Sequence, residues 1–256
     1  MIIDIIIYFC LILFFVTNYK KKEKFTNNYL IKTIYINLEK DKVRNKKMIK
    51  LLDENNINYK RQNAVWGKNI NLDDLNKKII DNKGLEDIKN KKYKYGLSLT
   101  MGAIGCALSH YNIFYNIVEK KNNDKDIYLI LEDDIKFEKN LIYNINQLLK
   151  DAPLNWDIIY IGYGPLLDNY KNKKIKDNWY KTNRVHGTFG YLLNKKGARK
   201  ILDLFPIKYQ IDTELYLASK NNKINSYIYK PQLIFHYNYS ESNIQVNPKT
   251  LKDDNI

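Results

Sequence analysis

From residue 32 onward, short apolar runs alternate with longer segments in which apolar residues recur every three or four positions. Residues 33–37 and 58–65 have the composition of strands, and residues 41–55 between them have helical spacing. The predicted inner face of this helix carries Val43, Met48, Leu51 and Leu52. The pattern continues with helices over 100–120, 140–150 and 195–204, and with strands over 127–131, 157–161 and 187–193. This alternation predicts an α/β fold with a mostly parallel central sheet.

Two polar stretches interrupt the alternation. Residues 69–94 are rich in Lys and hold only scattered aliphatic residues, which predicts an insertion or lid with a short helix near 72–80. Residues 162–178 are rich in Gly, Asn and Lys and predict a loop.

The apolar run at 127–131 ends abruptly on Glu132, Asp133 and Asp134. Ligands of open α/β sheets collect beyond the carboxyl ends of the strands, and carboxylates are suitable ligands for Mg²⁺ or Mn²⁺ with a bound phosphate. In an extended segment Glu132 and Asp134 share one side. From these residues alone, an acidic turn in water is the equal alternative.

Composition narrows the choice of function. A chain of 256 residues with 45% hydrophobic content can bury one substantial core. Its net charge of +15 suits an anionic substrate, a membrane surface or a nucleic acid, but no nucleic-acid-binding motif accompanies the charge, so we expect no nucleic-acid partner. Only Cys10 and Cys106 are present, so we expect neither a disulfide framework nor a Cys-type zinc site, and any metal is expected to be held mainly by oxygen.

The N-terminus carries a separate pattern. Residues 2–16 are apolar except for Asp4, and four lysines follow within residues 20–24. We predict a single-pass hydrophobic anchor helix with a basic flank over residues 1–24 and a catalytic domain over 25–256, hence a membrane-associated protein. A signal peptide is the alternative, although it would carry positive charge before the apolar stretch. The lysines favour a cytosolic catalytic domain, and a luminal orientation stays open.

Several local motifs occur in a characteristic order. They are Ile34-Tyr35-Ile36-Asn37-Leu38 with Asp41 and Arg44, Gly105-Cys106-Ala107-Leu108-Ser109-His110, Leu129-Ile130-Leu131-Glu132-Asp133-Asp134, Trp156-Asp157-Ile158-Ile159-Tyr160, Gly187-Thr188 through Tyr191, Gly197-Ala198, and Ile211-Asp212. Together they resemble glycosyltransferase family 25, which includes lipopolysaccharide-type and collagen-type galactosyltransferases. The resemblance covers roughly residues 32–244.

This resemblance implies a GT-A, Rossmann-like nucleotide-sugar-binding fold, a UDP-sugar donor, a divalent metal and inversion at the anomeric carbon. We therefore expect transfer of galactose or glucose to a hydroxyl of a glycan, a lipid-linked saccharide or a protein, with Mn²⁺ expected ahead of Mg²⁺. A catalytically silent scaffold that kept the fold is the main alternative. A nucleotide-dependent phosphoryl enzyme is disfavoured because the chain lacks the Gly-x-x-x-x-Gly-Lys-Ser/Thr loop.

The resemblance and the physical pattern together nominate donor and metal residues. Glu132 and Asp134 are predicted around the metal and ribose, with Asp133 close behind. His236 is a weaker ligand candidate, because the family more often has Gln near this point.

Four further residues are predicted on the donor side. Asn37 and Arg44 lie where a nucleotide approaches the sheet, and Arg can pair with phosphate bidentately, although a surface helix charge is the alternative for Arg44. Ser109 and His110 are predicted near the donor, and a satisfied core-edge histidine is equally open.

The remaining candidates concern the sugar, the base and the acceptor. An inverting transfer needs one carboxylate to take the acceptor proton, for which Asp212 is the first candidate and Glu214 the second. Asp212 as a cap of a helix beginning near residue 213 is the alternative. Thr188 is predicted to line the sugar or acceptor pocket and Trp66 to flank the uracil, with core packing open for both.

Overall fold

Ten strands form one mixed sheet, and six helices lie on its faces, in the part of the chain that the structure describes. This computed structural model describes residues 29–75, 78–90, 97–120, 124–164, 172–182 and 185–237. The elements in chain order are β1 (Ile31–Asn37), α1 (Lys42–Glu54), β2 (Tyr59–Asn63), α2 (Asn82–Lys89), α3 (Met101–Glu119), β3 (Ile127–Leu131), β4 (Ile135–Phe137), α4 (Leu141–Lys150), β5 (Ile158–Gly162), β6 (Lys173–Lys176), β7 (Trp179–Lys181), β8 (Gly190–Asn194), α5 (Lys195–Leu202), α6 (Ile211–Lys220), β9 (Ser226–Tyr229) and β10 (Ile234–His236).

The strands follow the order β2-β1-β3-β8-β5-β9-β7-β6. Strand β1 pairs in parallel with β2 and β3, and β5 pairs in parallel with β9. Strand β8 lies antiparallel between β3 and β5, so β3 and β5 run in the same direction. The predicted α/β class with a mostly parallel centre is thereby confirmed, with β8 as a reversed strand within it.

Helices cover both faces of the sheet. On one face α3, α5 and α6 pack their apolar residues against alternate strand residues such as Tyr128 and Ile130. On the other face α1 and α4 pack against Ile127, Leu129 and Leu131. Because β3 is covered on both sides, all five of its residues are buried, which explains its unbroken apolar sequence.

The parallel pairing of β1 with β3 positions the acidic residues. Tyr35 lies opposite Leu131 in the register, so the next residues of both strands meet at the same edge of the sheet. The sequence after β3 is acidic, and β1 ends on the buried amide Asn37. This edge therefore brings a buried hydrogen-bond donor to the carboxylates.

Several local predictions differ from the structure. Val43 is 68% exposed, because it lies in the first turn of α1, whereas Met48 and Leu52 further along are buried. The helix of the 69–94 stretch is α2, whose N-cap Asp81 accepts from the backbone N–H of Lys83, while residues 72–74 form only a 3-10 turn. The predicted loop over 162–178 contains β6, and residues 165–171 lie outside the described part.

The prediction of a single-pass membrane anchor is corrected. The stretch on which it depended, residues 1–24, lies outside the described residues. Among the helices that the structure describes, none is both long enough and apolar enough to cross a membrane. The predicted single-pass anchor, with the membrane localisation and orientation that depended on it, therefore finds no support among the described helices.

Candidate active site

Asn37 and Arg44 hold two of the three consecutive carboxylates. The Asn37 side-chain amide donates to Asp133 Oδ2 over 2.5 Å and is itself held by Arg61, whose Nε donates to Asn37 Oδ1 over 3.1 Å. Arg44 Nη1 donates to Asp133 Oδ1 over 3.2 Å and to Asp134 Oδ2 over 3.1 Å. One guanidinium thus bridges both carboxylates, which lie mostly buried beside it.

This environment raises the pKa values of Asp133 and Arg44. Burial raises the pKa of Asp133 to about 6, with the neighbouring Asp134 adding to the effect, and the Asn37 and Arg44 hydrogen bonds oppose it. Burial alone would lower the pKa of Arg44, but the charges of Asp134 and Asp133 raise it. The group therefore keeps a fixed positive charge against the carboxylates.

His236 reaches the same group from the last described strand. Its Nε2 lies 3.1 Å from Asp134 Oδ2, and the backbone N–H of Tyr237 donates to the Asp134 carbonyl over 2.8 Å. The hydrogen bond with Asp134 raises the pKa of His236. The second carboxylate oxygen of Asp134, Oδ1, is buried and has no hydrogen-bond partner among the described residues.

Glu132 points to a different set of neighbours. The Thr188 hydroxyl donates to Glu132 Oε1 over 2.8 Å, and His110 Nε2 lies 3.9 Å from the same oxygen. His110 Nδ1 lies 2.8 Å from the Tyr191 hydroxyl, and both side chains are at most 1% exposed. The acidic run therefore divides between the Arg44 side and the β8 side of the site.

One wall of the site is the loop that contains Val65, Trp66 and Gly67, which packs against α3. Ser109 Oγ donates to the Gly105 carbonyl over 2.6 Å and accepts from the backbone N–H of Val65 over 2.8 Å. The loop carries Trp66, which is 36% exposed, and Lys40 Nζ lies 4.6 Å from its ring centroid. Ser109 therefore supports the loop that presents Trp66.

These residues enclose a cavity of about 430 Å³. Nine of the predicted donor and metal residues line it, namely Asn37, Arg44, Trp66, Ser109, His110, Glu132, Asp133, Asp134 and His236. Thr188 contacts this group through Glu132. Lys40 and Cys106 also line the cavity, and sequence reasoning did not nominate them.

The two candidate bases, Asp212 and Glu214, are not among the residues that line the cavity. Asp212 Oδ2 accepts from the backbone N–H of Gly187 over 3.2 Å, and its Oδ1 accepts from the N–H of Thr213 over 2.8 Å. Gly187 has a φ of +82°, a conformation that glycine adopts readily. Burial raises the pKa of Asp212, while the two backbone hydrogen bonds oppose the shift. Glu214 Oε1 accepts from the backbone N–H groups of residues 208 and 209 over 2.7 and 2.9 Å.

The proximity of Cys106 to His110 could have been found from spacing, whereas the contact of Arg61 with Asn37 requires the strand order. Cys106 lies four residues before His110, so both belong to one face of α3. Arg61 lies in the strand that pairs with β1, which places it near Asn37 once the sheet order is known.

Comparison with known proteins identifies the family of this chain. The family model of glycosyltransferase family 25 (LPS biosynthesis protein) matches residues 30–215. The chain is 31% identical over 194 residues to procollagen galactosyltransferase 1-B of Xenopus laevis, covering 73% of this chain and 30% of that protein. It is 34% identical over 191 residues to a glycosyltransferase 25 family member of Anopheles gambiae, covering 71% and 30%.

The chain thus spans under a third of the length of these two relatives. Among solved structures, a glycosyltransferase involved in the glycosylation of the major capsid of PBCV-1 aligns over 84% of this chain and 95% of that chain, with 11% identity. Its TM-score of 0.44 is too low to support an argument about function. The match over residues 30–215 shows that the chain belongs to glycosyltransferase family 25.

Proposed function

We propose that this protein is a metal-dependent, inverting glycosyltransferase of the GT-A type that moves a hexose, galactose or glucose, from a UDP-sugar to a hydroxyl acceptor. The observation that carries the proposal is the convergence of nine predicted donor and metal residues on one cavity of about 430 Å³. The cavity lies at the carboxyl edge of β1 and β3, where ligands of α/β sheets bind. Its volume suits a small organic ligand.

The cavity wall offers complementary groups to a nucleotide diphosphate. Trp66 is partly exposed and supplies an aromatic face on which a base can stack. Lys40 and Arg44 also line the cavity, and their positive charges would be complementary to a diphosphate. These features support UDP as the leaving group of the donor.

The acidic side offers candidate ligands for the proposed divalent metal. Asp134 presents a buried carboxylate oxygen without a described partner, Glu132 supplies a second carboxylate, and His236 an imidazole. Two carboxylates with one imidazole suit Mn²⁺, whereas Mg²⁺ takes mainly oxygen ligands. When bound, such an ion would neutralise negative charge on the departing diphosphate.

Asp212 supports the inverting step as the candidate base. Its carboxylate would take the proton of the acceptor hydroxyl as that oxygen attacks the anomeric carbon from the face opposite UDP. The backbone N–H groups of Gly187 and Thr213 fix its orientation. Glu214 is the second candidate, with one oxygen already engaged by two backbone N–H groups.

The relatives suggest the sugar and the range of acceptors. Several of them are named procollagen galactosyltransferase, which makes UDP-galactose the first donor to test. The acceptor is proposed as a hydroxyl on a protein, a glycan or a lipid-linked saccharide.

The test is UDP release by the full-length protein from UDP-galactose, UDP-glucose and other UDP-sugars, with Mn²⁺ or with EDTA. We expect metal-dependent release with one sugar, lost in Asp134→Asn. The exposed Asp73 lies outside the cavity, so Asp73→Asn should keep the activity and serves as a matched control. A UDP titration by calorimetry accompanies the assay, and absence of both UDP binding and release would refute the transferase and favour a scaffold.

A further inference from the structure

Three potential metal ligands of different chemistry meet at the inner end of the cavity. The Cys106 sulfur, a His110 ring nitrogen and a Glu132 carboxylate oxygen all lie within 4.8 Å of one another. Cys106 and His110 are four residues apart on α3 and therefore share a face, while Glu132 comes from the end of β3. Two rigid elements of the fold thus hold the three groups together.

The surroundings of these groups resemble the supporting shell of a metal site. His110 Nε2 is buried and has no hydrogen-bond partner among the described residues, although the side chain is only 1% exposed. The other ring nitrogen, Nδ1, contacts the Tyr191 hydroxyl at 2.8 Å, and Glu132 accepts from Thr188. Metal-ligating histidines usually engage their second nitrogen in this manner, and ligating carboxylates are hydrogen-bonded in turn.

We infer that Cys106, His110 and Glu132 form a zinc site, against the expectation from the cysteine count, and that this site shares only Glu132 with the oxygen-rich set around Asp134. Thiolate and imidazole donors select Zn²⁺ over Mn²⁺ or Mg²⁺, and three protein ligands leave a fourth position open towards the cavity. Zinc ligands in a tetrahedral site lie roughly 3.5 Å apart, so side-chain rotations that move the ligand atoms by about 1 Å bring the three atoms into place. On binding, the Cys106 sulfhydryl proton is released to solvent as the sulfur–zinc bond forms.

A functional consequence follows if the proposed transferase activity is correct. Glu132 belongs to both sets of ligands, so Zn²⁺ bound at Cys106 would remove one carboxylate from the set proposed for Mn²⁺. Zn²⁺ should then inhibit Mn²⁺-dependent transfer, and Cys106→Ser should relieve the inhibition.

The test of the site itself uses Co²⁺ as a spectroscopic probe on the full-length protein. We expect a near-ultraviolet thiolate-to-cobalt charge-transfer band that Zn²⁺ displaces. The band should persist in Cys10→Ser, which removes the other cysteine of the chain, and should vanish in Cys106→Ser. Tyr191→Phe should weaken Zn²⁺ binding about tenfold, because it removes the partner of His110.

Absence of the band in the unmodified protein, or its persistence in Cys106→Ser, would overturn the inference. If Cys106→Ser fails to fold, the rate at which Cys106 is alkylated in the Cys10→Ser protein serves as the second measurement. Zn²⁺ should slow this alkylation, and an unchanged rate would overturn the proposed site. A cobalt band in a protein without transferase activity would uphold the zinc site while removing the proposed function. The two failures are therefore distinguishable.

Discussion

Replacement of Gly105 by alanine tests how the cavity wall is built. A Cβ atom at this position would lie 2.4 Å from the Val65 carbonyl oxygen and 2.7 Å from the Gly67 nitrogen. Both atoms belong to the backbone of the loop that carries Trp66, so no side-chain rotation can relieve the clash. Ordinary contact requires the loop to move by about 1 Å away from α3.

The expected cost follows from three contributions. Overpacking against backbone costs about 1–3 kcal/mol, and loss of the Val65 hydrogen bond to Ser109 costs about 1 kcal/mol more. Alanine gains about 1 kcal/mol over glycine in a helix interior. The net loss of unfolding free energy is therefore about 1–3 kcal/mol, or a fall of roughly 2–12 °C in Tm for a chain of this size.

Urea unfolding and thermal melts measure this loss, and Trp fluorescence during a UDP titration reports the displaced loop. Gly84→Ala is the matched control, because its Cβ would meet side-chain carbons of Leu99 and Ile80, at 2.8 and 3.2 Å, instead of backbone atoms at such short distances. It should change stability by less than about 1 kcal/mol. If Gly105→Ala were as stable as the unmodified protein and bound UDP equally well, the close approach of loop and helix would not shape the site.

Two further predictions concern buried carboxylates. Lys200 Nζ lies 2.5 Å from the fully buried Asp157, so Lys200→Met should lower the unfolding free energy in urea by about 3 kcal/mol, because it leaves a buried charge unpaired. Lys196→Met, an exposed lysine of the same helix, should have little effect, and equal stability of both variants would contradict the reasoning. Because burial raises the pKa of Asp212, kcat/KM should fall on acidification at a pH above the usual carboxyl range, since the base must be ionised. Asp212→Asn should abolish transfer while UDP affinity persists. If kcat/KM instead fell only at the ordinary carboxyl pKa, or if Asp212→Asn still transferred the sugar, Asp212 would not be the base.

Strand β3, which Glu132 follows directly, shows what sequence can predict. Five apolar residues followed by three acids indicate a doubly covered strand that stops at a polar edge, and the structure has that arrangement. The helix over 100–120 was also predicted, from its apolar spacing, and in the structure the Thr100 hydroxyl accepts from the N–H of Ala103 as its N-cap. Both signals are local, since the residues that carry them adjoin one another.

His236 shows what sequence patterns cannot supply. It reaches Asp134 because β10 pairs antiparallel with β4, and each of these strands has only three residues. Runs this short carry no periodicity, and their pairing joins positions about 100 residues apart. The prediction that Val43 is buried is wrong for a related reason. Helical spacing gives the period of α1 but not the point at which the sheet ceases to cover the helix.

The Gly105–His110 segment combines a local helical pattern with contacts to residues that are distant in sequence. Positions four apart share a helix face, so Gly105 and Ser109 both meet the Trp66 loop, while Cys106 and His110 form the neighbouring face towards Glu132. Ala107, between them, turns into the core at 1% exposure. Each helical residue advances about 100° around the axis, so within about one and a half turns different residues of the segment face the loop, the metal ligands and the core. The spacing within this segment matters as much as its residue types, because a shift by one position would exchange these three environments.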